Sequence, residues 1–249
     1  MHWRLPFPLL AAGLSVALLL PACATSPQDP VGTERADVVL LGEQHDAAAH
    51  QRMHQDAVRT LASQGRLAAL ALEMAEAGTS TSGLPPAANE AAVQAALRWD
   101  AKAWPWPAYG PAVMAAVQAG VPVLGANLPR AAMRPAMLDA QLDKLLPASA
   151  LAAQHEAIRQ GHCDLLPPAQ IAPMARIQIA RDRAMAGVVA AAAVPGKTVV
   201  LLAGAGHVDE TIGVPRHLPA GLTARSLRWP AEAPAKDYCA ELRERLPAR

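Results

Sequence analysis

The chain has 249 residues, 52% of them hydrophobic and only 3% aromatic, with a formal net charge of +1. That length and apolar content suffice for a sizeable packed core, drawn from Ala, Val, Leu and Met because the single Phe, Phe7, lies in the N-terminal segment. Near-neutral charge excludes the broad electrostatic attraction on which nucleic-acid binding rests, so no nucleic-acid partner is expected.

The first residues read as an export signal over 1–22. Arg4 supplies positive charge, Leu5 to Leu20 is uncharged and apolar, and Leu20-Pro21-Ala22-Cys23 follows at once. The apolar run is shorter than the roughly 20 residues a membrane-spanning helix needs, and Pro6, Pro8 and Pro21 interrupt or bound it. Leu-x-Ala-Cys resembles the bacterial lipobox, in which cleavage precedes the Cys and the thiol is lipidated. Cys23 is therefore expected to carry acyl chains such as palmitate and to anchor the protein to a bacterial membrane. Ala24 rather than Asp after Cys23 points to the outer membrane, facing the periplasm. Residues 23–34 are small, polar and Pro-containing, as in a tether, and the domain is expected over 35–249. With Cys23 lipidated, Cys163 and Cys239 remain to pair as a disulfide in an oxidising compartment; two separate buried thiols are the alternative.

In chain order, Val38 to Leu41 predicts a buried strand that ends in Gly42, Glu43 and His45. A helix follows over Ala47 to Gln64, with Asp46 expected as its cap, and Gly65 ends it. Leu67 to Leu72 predicts a second strand ending at Glu73, then a Gly/Ser/Thr/Pro-rich break from Gly78 to Pro86 and a helix around Glu90 to Trp99. Trp99 to Pro111 holds three of the five Trp and is expected to be irregular because of Pro105 and Pro107. Ala112 to Ala119 reads as helix and Val121 to Ala126 as a third strand, ending at Asn127. Ala131 to Leu146 and Leu151 to Gln160 read as amphipathic helices of an added helical region. Pro168 to Ala193 is a long helix, Thr198 to Ala203 a fourth strand, and Leu222 to Trp229 a final extended segment. This alternation predicts an α/β fold: a mainly parallel sheet with helices on both faces plus the added helical region.

Acids and imidazoles thus recur where strands run out, which is where open α/β sheets bind ligands. Glu43 and His45, two residues apart, have the chemistry for acid–base work or metal binding. Glu73 ends the second strand, and His207 follows Gly204-Ala205-Gly206 on the fourth. That Gly-x-Gly lacks the third glycine and helix-opening continuation of a dinucleotide loop. His50 and His54 have chelate spacing but no His-Glu-x-x-His context, and read as an exposed helix face. Tyr109, among Trp104, Trp106 and prolines, fits either a packed aromatic hinge or a cap over an apolar cofactor, since tyrosinate can ligate haem iron.

Leu40 to Asp46 (LLGEQHD), Leu72 to Met74 (LEM), Gly125 to Arg130 (GANLPR) and Gly161 to Pro167 (GHCDLLP) are joined by Gln178 with Arg181-Asp182 and Met185-Ala186. GAGHV at Gly204 to Val208 and GVPRHL at Gly213 to Leu218 complete the set. Together these resemble the ChaN-type haem-binding uptake lipoproteins, within the wider group of Tiki/TraB-type proteins and erythromycin esterases, over nearly all of the mature chain. The resemblance implies haem as cofactor, held in a crevice or at a homodimer interface, a tyrosine iron ligand and a role in iron acquisition. Tyr109 is the candidate ligand, because Tyr238 lies in the tail, with His45 or His207 neutralising propionates. Relatives with hydrolytic activity imply the alternative: an enzyme in which Glu43, His45, Glu73 and His207 activate water, with or without a metal. The chain departs from the family at Ala47, Ala48 and His50-Gln51, in place of Asn-Pro and a His-His pair, and at Ala75, where an aromatic is common.

Overall fold

The computed structural model describes residue 31 and residues 35–245. The export signal, Cys23 and its lipidation lie outside the described residues, as does the tether except for Val31. Val31 is buried in the main core and its carbonyl accepts a hydrogen bond from Arg225 at 2.7 Å, so packed structure includes residue 31.

Five strands form one sheet: β1 (Val38–Glu43), β2 (Leu67–Glu76), β3 (Val123–Asn127), β4 (Thr198–Gly204) and β5 (Ala224–Arg228). Their order is β3-β2-β4-β1-β5 and every pairing is parallel. β1 and β4 are buried along their whole length, which explains their continuous apolar runs: in a sheet covered on both sides neither face meets water. Side-chain alternation divides the core in two. Val39, Leu41, Leu70, Leu72, Val200 and Leu202 face one side, under α1 (Ala48–Ser63) and α3 (Trp106–Gln118), with the short α2 (Glu90–Ala96) beside them. Val38, Leu40, Ala69, Ala71, Val199 and Leu201 face the other, under Met185, Ala186 and Val189 of the long α6 (Pro168–Ala191). The added helical region, α4 (Arg130–Leu138), a 3-10 turn (Ala140–Leu145) and α5 (Ala148–Gly161), packs on α6 through Ala136, Leu142, Leu146, Ala150 and Ile179. The last element is α7 (Tyr238–Arg245), and a disulfide joins Cys163 to Cys239 with Cα atoms 5.7 Å apart. Among the described residues no helix is long and apolar enough to cross a membrane.

Three local expectations are corrected. The aromatic segment is helical from Trp106 onward, because Pro107 sits in the first turn, where its missing N–H costs no intrahelical bond. The single helix expected over Ala131 to Leu146 breaks at Asp139, whose carboxylate accepts from the Gln141 N–H and starts the 3-10 turn. Asp46 does not cap α1: Ala47 takes that position without a side-chain bond, and the Asp46 carboxylate instead accepts from Gln44, the Ala235 N–H and Tyr238.

Candidate functional site

β1, β2 and β4 are neighbours that end at one rim, and the register opposes Glu43 to Gly204. Glu43 and Glu73 are each 2% exposed, and a carboxylate so buried needs donors. Oε1 of Glu43 accepts from the Tyr109 hydroxyl at 2.6 Å and pairs with His45 Nδ1 at 2.7 Å. Oε2 lies 3.4 Å from His54 Nδ1, in a contact that misses hydrogen-bond geometry. His54 is 1% exposed, and burial, aided by His50 and His45, pushes its imidazole down to about 3, so it is neutral.

The buried side of the rim is organised by Glu73. Its Oε2 accepts the Gly204 N–H at 2.6 Å, while its Oε1 receives Nη2 of Arg181 and lies 3.4 Å from Nε2 of His207. Burial works against ionisation of Glu73, but the charges of His207, Arg181 and His45 outweigh it and hold the carboxyl well below its usual range. On its other nitrogen His207 pairs with Asp182 at 2.6 Å. Burial lowers the His207 imidazole, yet Glu73 and Asp182 overcome this and raise it to about 9, leaving an imidazolium between two carboxylates. Burial keeps Asp182 above the ordinary Asp value despite His207. The Arg181 fork is fixed by Asn127 Oδ1 at 3.0 Å and Gln178 Oε1 at 3.1 Å, and Asn127 donates in turn to the Glu73 carbonyl at 2.8 Å.

His45 is the exposed member, its side chain 41% accessible. Glu43 holds Nδ1, which directs Nε2 toward Glu73 Oε2, 3.9 Å away. Gly204 makes room for it, since a Cβ there would lie 2.8 Å from Nε2. Burial lowers the imidazole, but the Glu43 bond and the Glu73 charge more than compensate, and its pKa lies above the ordinary value.

Over this rim opens a cavity of about 570 Å³, with His45, Glu73, Arg181 and His207 along its base. A second, of about 490 Å³, adjoins across Glu73 and Arg181 and is lined by Met74, Trp104 and Met133. Glu43, His45, Glu73 and His207 are therefore brought together as the strand-end argument anticipates. Tyr109 is not at either cavity. It is 2% exposed in the core, and burial with the Glu43 carboxylate pushes its phenol far above the usual range, opposing tyrosinate formation. Tyr238, set aside as tail, lines the first cavity instead. His50 and His54 are buried rather than exposed: His50 Nδ1 accepts the Gln44 N–H at 3.0 Å and Nε2 donates to the Pro230 carbonyl at 3.1 Å, so the pair forms no chelate. Among the described residues no group of three or more His, Cys, Asp or Glu is arranged to hold a metal ion. Sequence reasoning gave no role to Arg181, Asp182 or His54, although two adjacent charges within the long α6 helix were a usable signal.

A model of the family described as haem-binding uptake, Tiki superfamily, ChaN matches residues 32–218. The chain belongs to this family. Its fold is that of ChaN: a solved structure of ChaN of Campylobacter jejuni, reported with cofacial heme binding, superposes with a TM-score of 0.62 at 26% identity, covering 81% of this chain and 85% of that one. No curated protein matches the sequence. The ChaN family match ends at residue 218, so β5, Tyr238 and Cys239 lie beyond it.

Proposed function

We propose that this protein binds haem in the strand-end crevice, as an exported bacterial lipoprotein of iron acquisition anchored through Cys23 to the outer membrane, with a second copy completing the site. The observation that carries this reading is the chemistry of the crevice walls. Ala157, Ile158, Gly161 and Ile212 offer apolar surface, while Arg181 and His45 lie at the base, where carboxylates would rest. That pairing suits a flat amphiphile bearing anionic groups, and the volume falls within the roughly 300–1,000 Å³ of small-molecule sites. Cofacial heme binding in the Campylobacter jejuni protein supports haem as that ligand. When bound, haem supplies an iron centre that the protein must ligate. Tyr109 is buried and committed to Glu43, so a tyrosinate ligand would have to come from the cavity wall, where Tyr238 is the phenol present. Its hydroxyl donates to Asp46 at 2.9 Å, a bond that raises its pKa and that it would have to give up to ligate iron. His45, with its raised pKa and partly exposed side chain, is suited to a propionate, whereas both His207 nitrogens are already engaged. Titrating the purified protein with hemin tests this: a saturable shift of the Soret band at one haem per chain is expected, and its absence would sink the proposal.

A hydrolytic reading is favoured by one arrangement. Glu43 fixes the His45 tautomer and turns Nε2 to the crevice, as an orienting carboxylate does for a general base. Glu73, saturated by Arg181, Gly204 and His207, would then act as a fixed anion rather than as the base. Ester hydrolysis that disappears in His45→Ala while hemin binding persists would favour this reading; no hydrolysis by the unaltered protein across an ester panel would remove it.

A further inference from the structure

Chain that lies beyond the family match passes along the crevice and contributes Tyr238 to its lining. β5 is the edge strand beside β1 and runs parallel to it, so it ends at the same rim and the chain must then cross the strand ends. Trp229 anchors the crossing, its ring 5.7 Å from that of His50 and 5.3 Å from that of His54. From there the hooks fall on the loop that carries His45. The Pro230 carbonyl meets His50, the Glu232 N–H donates to Gln44 Oε1 at 3.1 Å, and the Ala235 N–H and Tyr238 hydroxyl reach Asp46 Oδ2 at 2.8 and 2.9 Å. The path ends at Cys239, bonded to Cys163 just past α5, which forms the facing wall through Gln154, Ile158 and Gly161. Cys163 and Asp164 hold left-handed backbone at φ 55° and 57°, turning the chain sharply where the bond is made.

Residues 230–238 are all exposed and α7 buries no side chain. Beyond Trp229, which packs on the core, the segment is held by a few solvent-exposed hydrogen bonds, and such segments belong to the least stable part of a fold. Its two ends are fixed by the packing of Trp229 and by the Cys163–Cys239 bond.

We propose that residues 229–239 are a disulfide-tethered strap that closes the outer side of the crevice, so that ligand entry and exit pass beneath it and are gated by the Cys163–Cys239 bond. A dithiol reductant opens the gate by cleaving the S–S bond: it gives two electrons and two protons, leaves thiols at Cys163 and Cys239, and becomes a cyclic disulfide. The ligand's identity rests on the haem reading; the gate does not.

The test compares the full chain with Cys239→Ser, and with wild type reduced under native conditions should that variant fold poorly. Without any ligand, carbethoxylation of His45 followed by mass spectrometry reports access to the crevice. The rate should rise about tenfold when the bond is absent, and amide exchange in 230–238 should lose protection while β1 and β4 keep theirs. Equal His45 rates and equal exchange in bonded and unbonded forms overturn the strap. With hemin, dissociation should accelerate about tenfold; if hemin binds neither form, the haem reading fails while the ligand-free measurements still decide the gate. Asp46→Ala, which removes two hooks and leaves the bond, should give a smaller rise in the same rate, and a rise as large as that of Cys239→Ser would show that the hydrogen bonds, not the disulfide, hold the strap.

Discussion

Three side chains converge on Glu43, and two of them, Tyr109 and His45, hydrogen-bond to it. Tyr109 gives it a hydroxyl inside the core, and losing one donor to a buried carboxylate costs about 1–3 kcal/mol. Tyr109→Phe should lower unfolding free energy by that amount in urea titrations, while any tyrosinate-type absorption of the hemin complex should survive. Two histidines set the pH dependence in opposite directions. His207 is raised to about 9, so its stabilisation is complete below the unfolded value of about 6.5 and is lost as pH climbs through 9. His54 is lowered to about 3, so its contribution is present above about 6.5 and is lost as pH falls toward 3. Glu73, held low, adds to the acid-side loss only beneath the ordinary Glu range. Unfolding free energy should therefore peak near pH 6.5. His207→Gln should flatten the alkaline limb, and His54→Gln the upper part of the acid limb; unchanged limbs would contradict these assignments.

At the scale of elements, strands and helices obeyed local signals wherever those signals were apolar runs, and departed from them where prolines and short polar side chains competed. Pro107 begins a helix that composition alone reads as broken, and Asp139 splits another that periodicity reads as continuous. Gly42 is required by a close approach between β1 and the chain after β4, since a Cβ there would lie 2.3 Å from Val208 Cγ2. Gly42→Ala should cost at least about 1–3 kcal/mol through overpacking, read as a lowered Tm. The disulfide spans a sequence separation of 76 residues, for which loop-closure entropy gives about 4.5 kcal/mol. Cys239→Ser should cost less than that in global stability. The exposed strap and α7 also gain freedom in the folded state when untethered, which cancels part of the effect; a calorimetric loss near the full value would mean the tail stays docked without its bond.

For the molecule as a whole, the parallel sheet and its two covering layers followed from strand–helix alternation, and the family resemblance from motifs spread over the chain. If two copies enclose the ligand, hemin should convert the protein to a dimer at one haem per chain, measurable by sedimentation; a saturated monomer would remove the second copy from the site. The sequence by itself located the chemistry near strand ends, because apolar runs interrupted by Gly, Glu and His are local patterns, although β2 continues past Glu73, its expected end, to Glu76. The sequence therefore placed Glu43, Glu73 and His207 at one rim. Only the tertiary structure decided which groups face each other: that Tyr109 turns inward to Glu43, that Arg181 and Asp182 descend from α6 onto Glu73 and His207, and that the tail returns with Tyr238 to wall the crevice. Such contacts join residues 25 to 192 positions apart, and their partners are chosen by sheet order and by which helix covers which face, neither of which any window of sequence contains.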